Sequence, residues 1–210
     1  MSLATRLLLA NPGAQVSTAL TGSLTTPGAK SAFFQPEGYY SIATATVTSG
    51  GAPSVTFSSI QPIYTHLELR WIGGNNRVTE SMDDLTMQFN GDTTAGNYDT
   101  QRYYTKSTTV STDSVDGYGC IFGWGSASGR TNTNTFAMGI ATIPNYASSN
   151  KKVVTGFSGM DNAPITTGQA GGVQSFAGFW NVASAINEIK IYGINGDLLE
   201  NSKFHLYGIK

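Results

Sequence analysis

Phe204-His205-Leu206-Tyr207-Gly208-Ile209-Lys210 alternates apolar and polar positions to the end of the sequence. Successive side chains of a β-strand point to opposite faces, so this period reads as a strand with one face in a core. Such a strand is expected to be locked in a sheet, because fraying would leave its backbone donors and acceptors unpaired. Residues 186–192 read as a further strand, and Asn195-Gly196-Asp197 between the two as a turn.

Working outward, the same period recurs. Leu67, Leu69 and Trp71 alternate with His66, Glu68 and Arg70, and Leu85, Met87 and Phe89 alternate with Thr86 and Gln88. Asn90-Gly91-Asp92 then turns, and residues 97–104 read as the return strand. Residues 105–135 read as loop-rich, with one strand at 118–124. Strands at 136–144, 151–159 and 173–180 complete the pattern. No window of ten or more residues favours helix. Strands without intervening helices predict an all-β fold, an antiparallel β-sandwich or jelly roll spanning 39–210. Its expected core is Leu67, Leu69, Trp71, Leu85, Met87, Phe89, Ile189, Ile191, Phe204 and Leu206.

Residues 1–38 differ, with Pro, Gly, Ser and Thr scattered and no sustained periodicity. They are expected to form an extended N-terminal arm. A plain terminal tail is the bland alternative. The arm nevertheless holds Leu7, Leu8, Leu9, Leu20, Phe33 and Phe34. Each would gain about 1.5–3 kcal/mol if buried on a partner, which makes these six the candidate assembly residues. The Leu3–Ala10 run is too short for a transmembrane helix, which needs about 20 residues, and no membrane association is expected.

Lys, Arg, Asp and Glu make up only 12% of the chain, with 12 basic and 13 acidic residues. That balance lacks the basic stripe of a nucleic-acid footprint, so no nucleic-acid partner is expected. Cys120 is the single cysteine, which excludes an intramolecular disulfide and a cysteine zinc cluster and suits synthesis in a reducing cytoplasm. Between Gly119 and Ile121 it reads as a small buried hydrophobe.

No catalytic pattern stands out. His66 and His205 fall on the polar phase of their strands. Gly125-Ser126-Ala127-Ser128-Gly129 has alanine where a nucleophile elbow needs serine. Asp83-Asp84 before a strand, and Asp113 and Asp116 in a loop, lack the spacing of a calcium loop. The expectation is a non-enzyme with no cofactor and no metal. Tyr103, Tyr104, Tyr118, Trp124 and Tyr146 are candidates for glycan stacking or for an interface. Core or interface packing is the preferred reading, since Tyr and Trp are common in β structure.

Several stretches taken in order carry a resemblance. They are Ser41-Ile-Ala-Thr-Ala-Thr-Val47, Val55-Thr-Phe-Ser-Ser-Ile60 through Tyr64-Thr-His-Leu-Glu-Leu-Arg70, and Met87-Gln-Phe-Asn-Gly-Asp92. Later come Ile143-Pro-Asn-Tyr-Ala-Ser-Ser-Asn-Lys151, Gly178-Phe-Trp-Asn181 with Ala185-Ile-Asn-Glu-Ile189, and Leu206-Tyr-Gly-Ile-Lys210. This order resembles a β-sandwich module of virion structural proteins of tailed bacteriophages, over about residues 39–210. The resemblance implies a structural role in the virion and brings no catalytic residue. It implies a capsid decoration or cement protein that binds the major capsid protein or other virion proteins. A tail appendage, a fibre or receptor-binding protein contacting host glycan, is the alternative, and a glycan hydrolase comes third. A homo-oligomer is expected, with a trimer as one form.

Overall fold

The computed structural model describes residues 38–106, 108–127, 135–161 and 171–210. The arm residues Leu7, Leu8, Leu9, Leu20, Phe33 and Phe34 lie outside them. Twelve strands follow one another: β1 (Tyr39–Thr46), β2 (Val55–Phe57), β3 (His66–Asn75), β4 (Met82–Phe89), β5 (Tyr98–Lys106) and β6 (Thr109–Asp116). Then come β7 (Cys120–Ala127), β8 (Ala137–Pro144), β9 (Lys152–Asp161), β10 (Gly171–Trp180), β11 (Ile189–Gly193) and β12 (Lys203–Ile209). The one helical element among the described residues is a single 3₁₀ turn, Ala95–Asn97.

The strands form a two-sheet antiparallel sandwich. The large sheet runs β1-β12-β3-β8-β9-β10-β5-β6, and the small sheet runs β2-β11-β4-β7. The sheets join at one corner, where the end of β3 runs briefly parallel to β7, Gly74 opposite Ser126 and Asn75 opposite Ala127. Four strands of the large sheet, β1-β12-β3-β8, and the four of the small sheet have the connectivity of an eight-stranded jelly roll. Two hairpins, β5–β6 and β9–β10, are inserted into that plan and widen the large sheet by four strands.

The closing stretch is central: β12 pairs with β1 on one side and β3 on the other. Phe204 and Leu206 are buried, as are all ten expected core residues. The three-residue turn signals, however, do not make hairpins. Asn195-Gly196-Asp197 carries the chain from the small sheet to the large one, and Asn90-Gly91-Asp92 does the same between β4 and β5. So 97–104 is not a return strand beside β4. Asn90 and Gly91 both have positive φ, 53° and 68°, which makes the corner sharp enough to change sheets.

Residues 105–135 hold a strand that periodicity did not reveal. In β6 polar residues occupy both faces, because among the described residues it is an outer strand pairing with β5 alone, and no apolar contrast marks its period. Strand β7 has the opposite character. Cys120 to Gly125 are all buried. The inserted strands of the large sheet lie over it: Thr100 Oγ1 of β5 accepts the Ile121 N–H at 3.0 Å, and a Cβ on Gly178 of β10 would reach Cys120. A strand covered on both faces reads as a continuous apolar run.

Asp92 pins the β4–β5 corner. Its carboxylate accepts from Trp180 Nε1 (2.8 Å), the Thr94 N–H (2.9 Å) and Asn97 Nδ2 (2.8 Å). Desolvation pushes its pKa up, but these donors outweigh it and hold the pKa at about 2. In the unfolded chain the group titrates near 3.9. Its ionised form therefore stabilises the fold above pH ~4, and that contribution fades as pH falls towards ~2. Asp92→Asn should melt below wild type at pH 6, with the gap narrowing as the pH approaches 2. Thermal melts across that range check it; a gap independent of pH would refute the role.

Candidate functional site

The outer face of the large sheet is where the fold leaves apolar side chains uncovered. Cross-strand register builds it row by row. Arg70 of β3, Ile140 of β8, Phe157 of β9, Ser175 of β10 and Tyr103 of β5 form one row. Ile72, Met138, Gly159 and Val173 form the next. Met138 is 65% exposed, Phe157 51% and Tyr103 53%. Of these, Arg70, Met138, Ile140, Phe157, Gly159 and Val173 line a shallow groove of about 660 Å³, with Arg70 and Asp161 at its ends. Contiguous apolar surface of this kind marks interaction sites on soluble domains.

Why the large side chains lie outside follows from Trp71. Its indole points inward from β3 and packs edge-on against Phe122, centroids 4.7 Å apart. A Cβ at Gly139 or Gly123 would fall on the Trp71 ring. Beside Trp71 the inner phase of β8 is accordingly small, with Ala137, Gly139 and Ala141 before Ile143 enters the core, and Met138 and Ile140 take the outer phase.

Beside the groove, the outer face carries a polar cluster. Glu68 accepts from Arg70 Nε (2.8 Å) and from the Tyr39 hydroxyl (3.0 Å). The Arg70 guanidinium lies over the rings of Tyr39 and Tyr207, at 5.1 and 5.3 Å. Alternation placed Glu68 in solvent, but it is buried beneath these side chains. The Glu68 bond is the main cause that raises the Arg70 pKa above its ordinary value. His66 and His205 are half-buried on the same phase, as expected. Each has a local partner: His66 Nδ1 accepts the Asn145 N–H at 3.1 Å, and His205 Nδ1 meets Thr44 Oγ1 at 3.0 Å.

A second pocket, about 210 Å³, collects charge. Arg102 is held between Asp84 (2.5 Å) and Asp113 (2.5 and 2.9 Å), over the Tyr104 ring. Burial pushes the Asp84 pKa up against the pull of Arg102. Asp83 is filled by four donors from Asn75, Arg77 and Asn195. Asp83 and Asp84 lie within β4, and Asp113 and Asp116 within β6 rather than a loop. These acids knit strands together. Among the described residues, no group of three or more His, Cys, Asp or Glu is placed to hold a metal ion.

The aromatic candidates do not form one site. Trp124 and Tyr146 are core residues. Tyr104 packs edge-on against Trp124, centroids 5.6 Å apart. Tyr146 donates its hydroxyl to the Gln61 carbonyl. Tyr103 and Tyr118 are exposed, Tyr103 on the outer face and Tyr118 in the β6–β7 turn. Cys120 is buried, and burial raises its thiol pKa, as suits a packing residue. Sequence reasoning missed Met138, Ile140, Phe157 and Val173. Their signal was an apolar residue on both phases of one strand. No protein-family model matches the chain, and comparison with curated proteins finds no match.

Proposed function

We propose that this protein is a virion structural protein that acts by binding other coat proteins, in the first place as a decoration protein on a bacteriophage head. The observation that carries this reading is the outer face of a sheet eight strands wide, whose exposed apolar side chains, Tyr103, Phe157 and Val173 among them, suit contacts between coat subunits, copies of this chain included. A broad rigid sheet suits contact with a large partner surface. The ordered resemblance of residues 39–210 to phage virion modules supplies the setting. Arm residues Leu7, Leu8, Leu9, Leu20, Phe33 and Phe34 supply further apolar area that an assembly contact would bury.

The test mixes purified protein with undecorated heads and counts bound copies. Saturable binding at hundreds of copies per particle is the expected result. Tens of copies confined to the tail would favour the appendage reading, and no binding to any virion part would refute both. Deleting residues 1–36 should lower occupancy; unchanged occupancy would show that the sandwich alone carries the contact.

A further inference from the structure

The groove has a symmetry that bears on its occupant. Strand β8 lies between β3 and β9. On β3, Arg70 is two residues before Ile72, the partner of Met138; on β9, Asp161 is two residues beyond Gly159, also a partner of Met138. Arg70 and Asp161 thus occupy opposite corners of a block centred on Met138. Neighbouring strands lie about 4.8 Å apart and same-face residues about 7 Å apart along a strand, so the two corners are equally far from the centre. Ile72 and Ile140 flank Met138 within that block, Phe157 takes a third corner, and Val173 lies one strand further on.

We infer that this face binds a second copy of the chain about a two-fold axis. The axis lies in the face, passes through Met138 and runs perpendicular to the Arg70–Asp161 line. That rotation puts Arg70 of one copy over Asp161 of the other, twice. It sets Met138 against Met138 and lays Ile140 and Phe157 over the Gly159–Val173 flank. The strands of the two copies then cross steeply, the orthogonal mode of sheet packing. An isologous contact needs a self-complementary surface, and opposite charges placed symmetrically about an apolar centre meet that need. Neither charge is idle in the single chain. Arg70 Nε bonds Glu68, and Asp161 has a partner of its own. A guanidinium carries five N–H donors, so a second carboxylate can be added.

The contact is small against the roughly 800 Å² per partner of a standard interface, which predicts a micromolar dimer. This inference concerns self-association and does not depend on particle binding. A dimer that fails to decorate heads would sink the virion reading alone, and a monomer that decorates them would sink this one alone.

Sedimentation equilibrium of the full chain over a micromolar concentration series tests it. The expected result is a monomer–dimer equilibrium that weakens with salt, because the charge pairs are exposed to screening. Met138→Glu and Asp161→Arg should each raise the dissociation constant more than tenfold, with the circular dichroism of a folded all-β domain retained. Asp161→Glu should leave it within about threefold. A monomer at all concentrations would overturn the inference and point to this face being covered by the chain's own residues or by another protein. A dimer or trimer insensitive to Met138→Glu would place the contact elsewhere. A dimer lost in Met138→Glu but kept in Asp161→Arg would refute the stated axis. Both substituted side chains are exposed, so unfolding of either variant would itself contradict the placement.

Discussion

Asp83→Ala is expected to destabilise the domain by about 3–5 kcal/mol, the range for removing one member of a buried charged pair. Asp83 is buried on β4, and each of its oxygens accepts two hydrogen bonds. Oδ1 takes Arg77 Nη1 at 3.0 Å and Asn195 Nδ2 at 2.7 Å. Oδ2 takes the Asn195 N–H at 2.9 Å and Asn75 Nδ2. The carboxylate therefore ties the end of β3, the β3–β4 loop and β4 to the corner by which β11 crosses to β12. Alanine would strand those donors, and the desolvation cost falls on each that water cannot reach. Urea unfolding should show a lower midpoint with an unchanged slope. A loss under about 1 kcal/mol would mean that water replaces the carboxylate at this corner.

Trp71→Ala should cost a similar amount, about 3–5 kcal/mol, for a different reason. The indole fills space between the sheets that Gly123 and Gly139 leave open, and it meets Phe122 edge-on. Removing it opens a cavity that rigid strands on both sides cannot close. Trp71→Phe should cost less than the lost volume suggests. The buried Nε1–H has no hydrogen-bond partner among the described residues, and its removal relieves a desolvated donor. Equilibrium unfolding of the two variants separates the terms. A Trp71→Phe loss as large as its lost volume predicts would show that the buried N–H carries no penalty. The reverse substitution is informative as well. Gly139→Ala should also destabilise, because its Cβ would fall on the Trp71 ring.

The misreadings share a cause. Strand β6 was invisible because Thr109, Ser111, Asp113 and Val115 contrast little with Val110, Thr112, Ser114 and Asp116. Glu68 was assigned to solvent because alternation reports which face a residue takes, not whether neighbours such as Arg70 and Tyr39 cover it. The turns at Asn90-Gly91 and Asn195-Gly196 were legible as turns, since local backbone preference dictates them. Their destinations were not.

By itself the sequence determined that the domain is built of strands and which phase of the clearest ones faces inward. Leu67, Leu69, Trp71, Leu85, Met87, Phe89, Phe204 and Leu206 are all buried, because apolar–polar alternation along one strand is a local property. Which strands meet was a tertiary decision. Tyr39–Thr46 pairs with Lys203–Ile209 across almost the whole described domain, and no short-range signal links them. The candidate site was decided there as well. Residues 137–144 carry apolar side chains on both phases, and the bulk of Trp71 against Gly139, with Ile143 in the core, goes with the phase that puts Met138 and Ile140 outward. Two sheets must share one core volume, so a large indole from one strand forces small residues onto the next and leaves its larger ones on the surface.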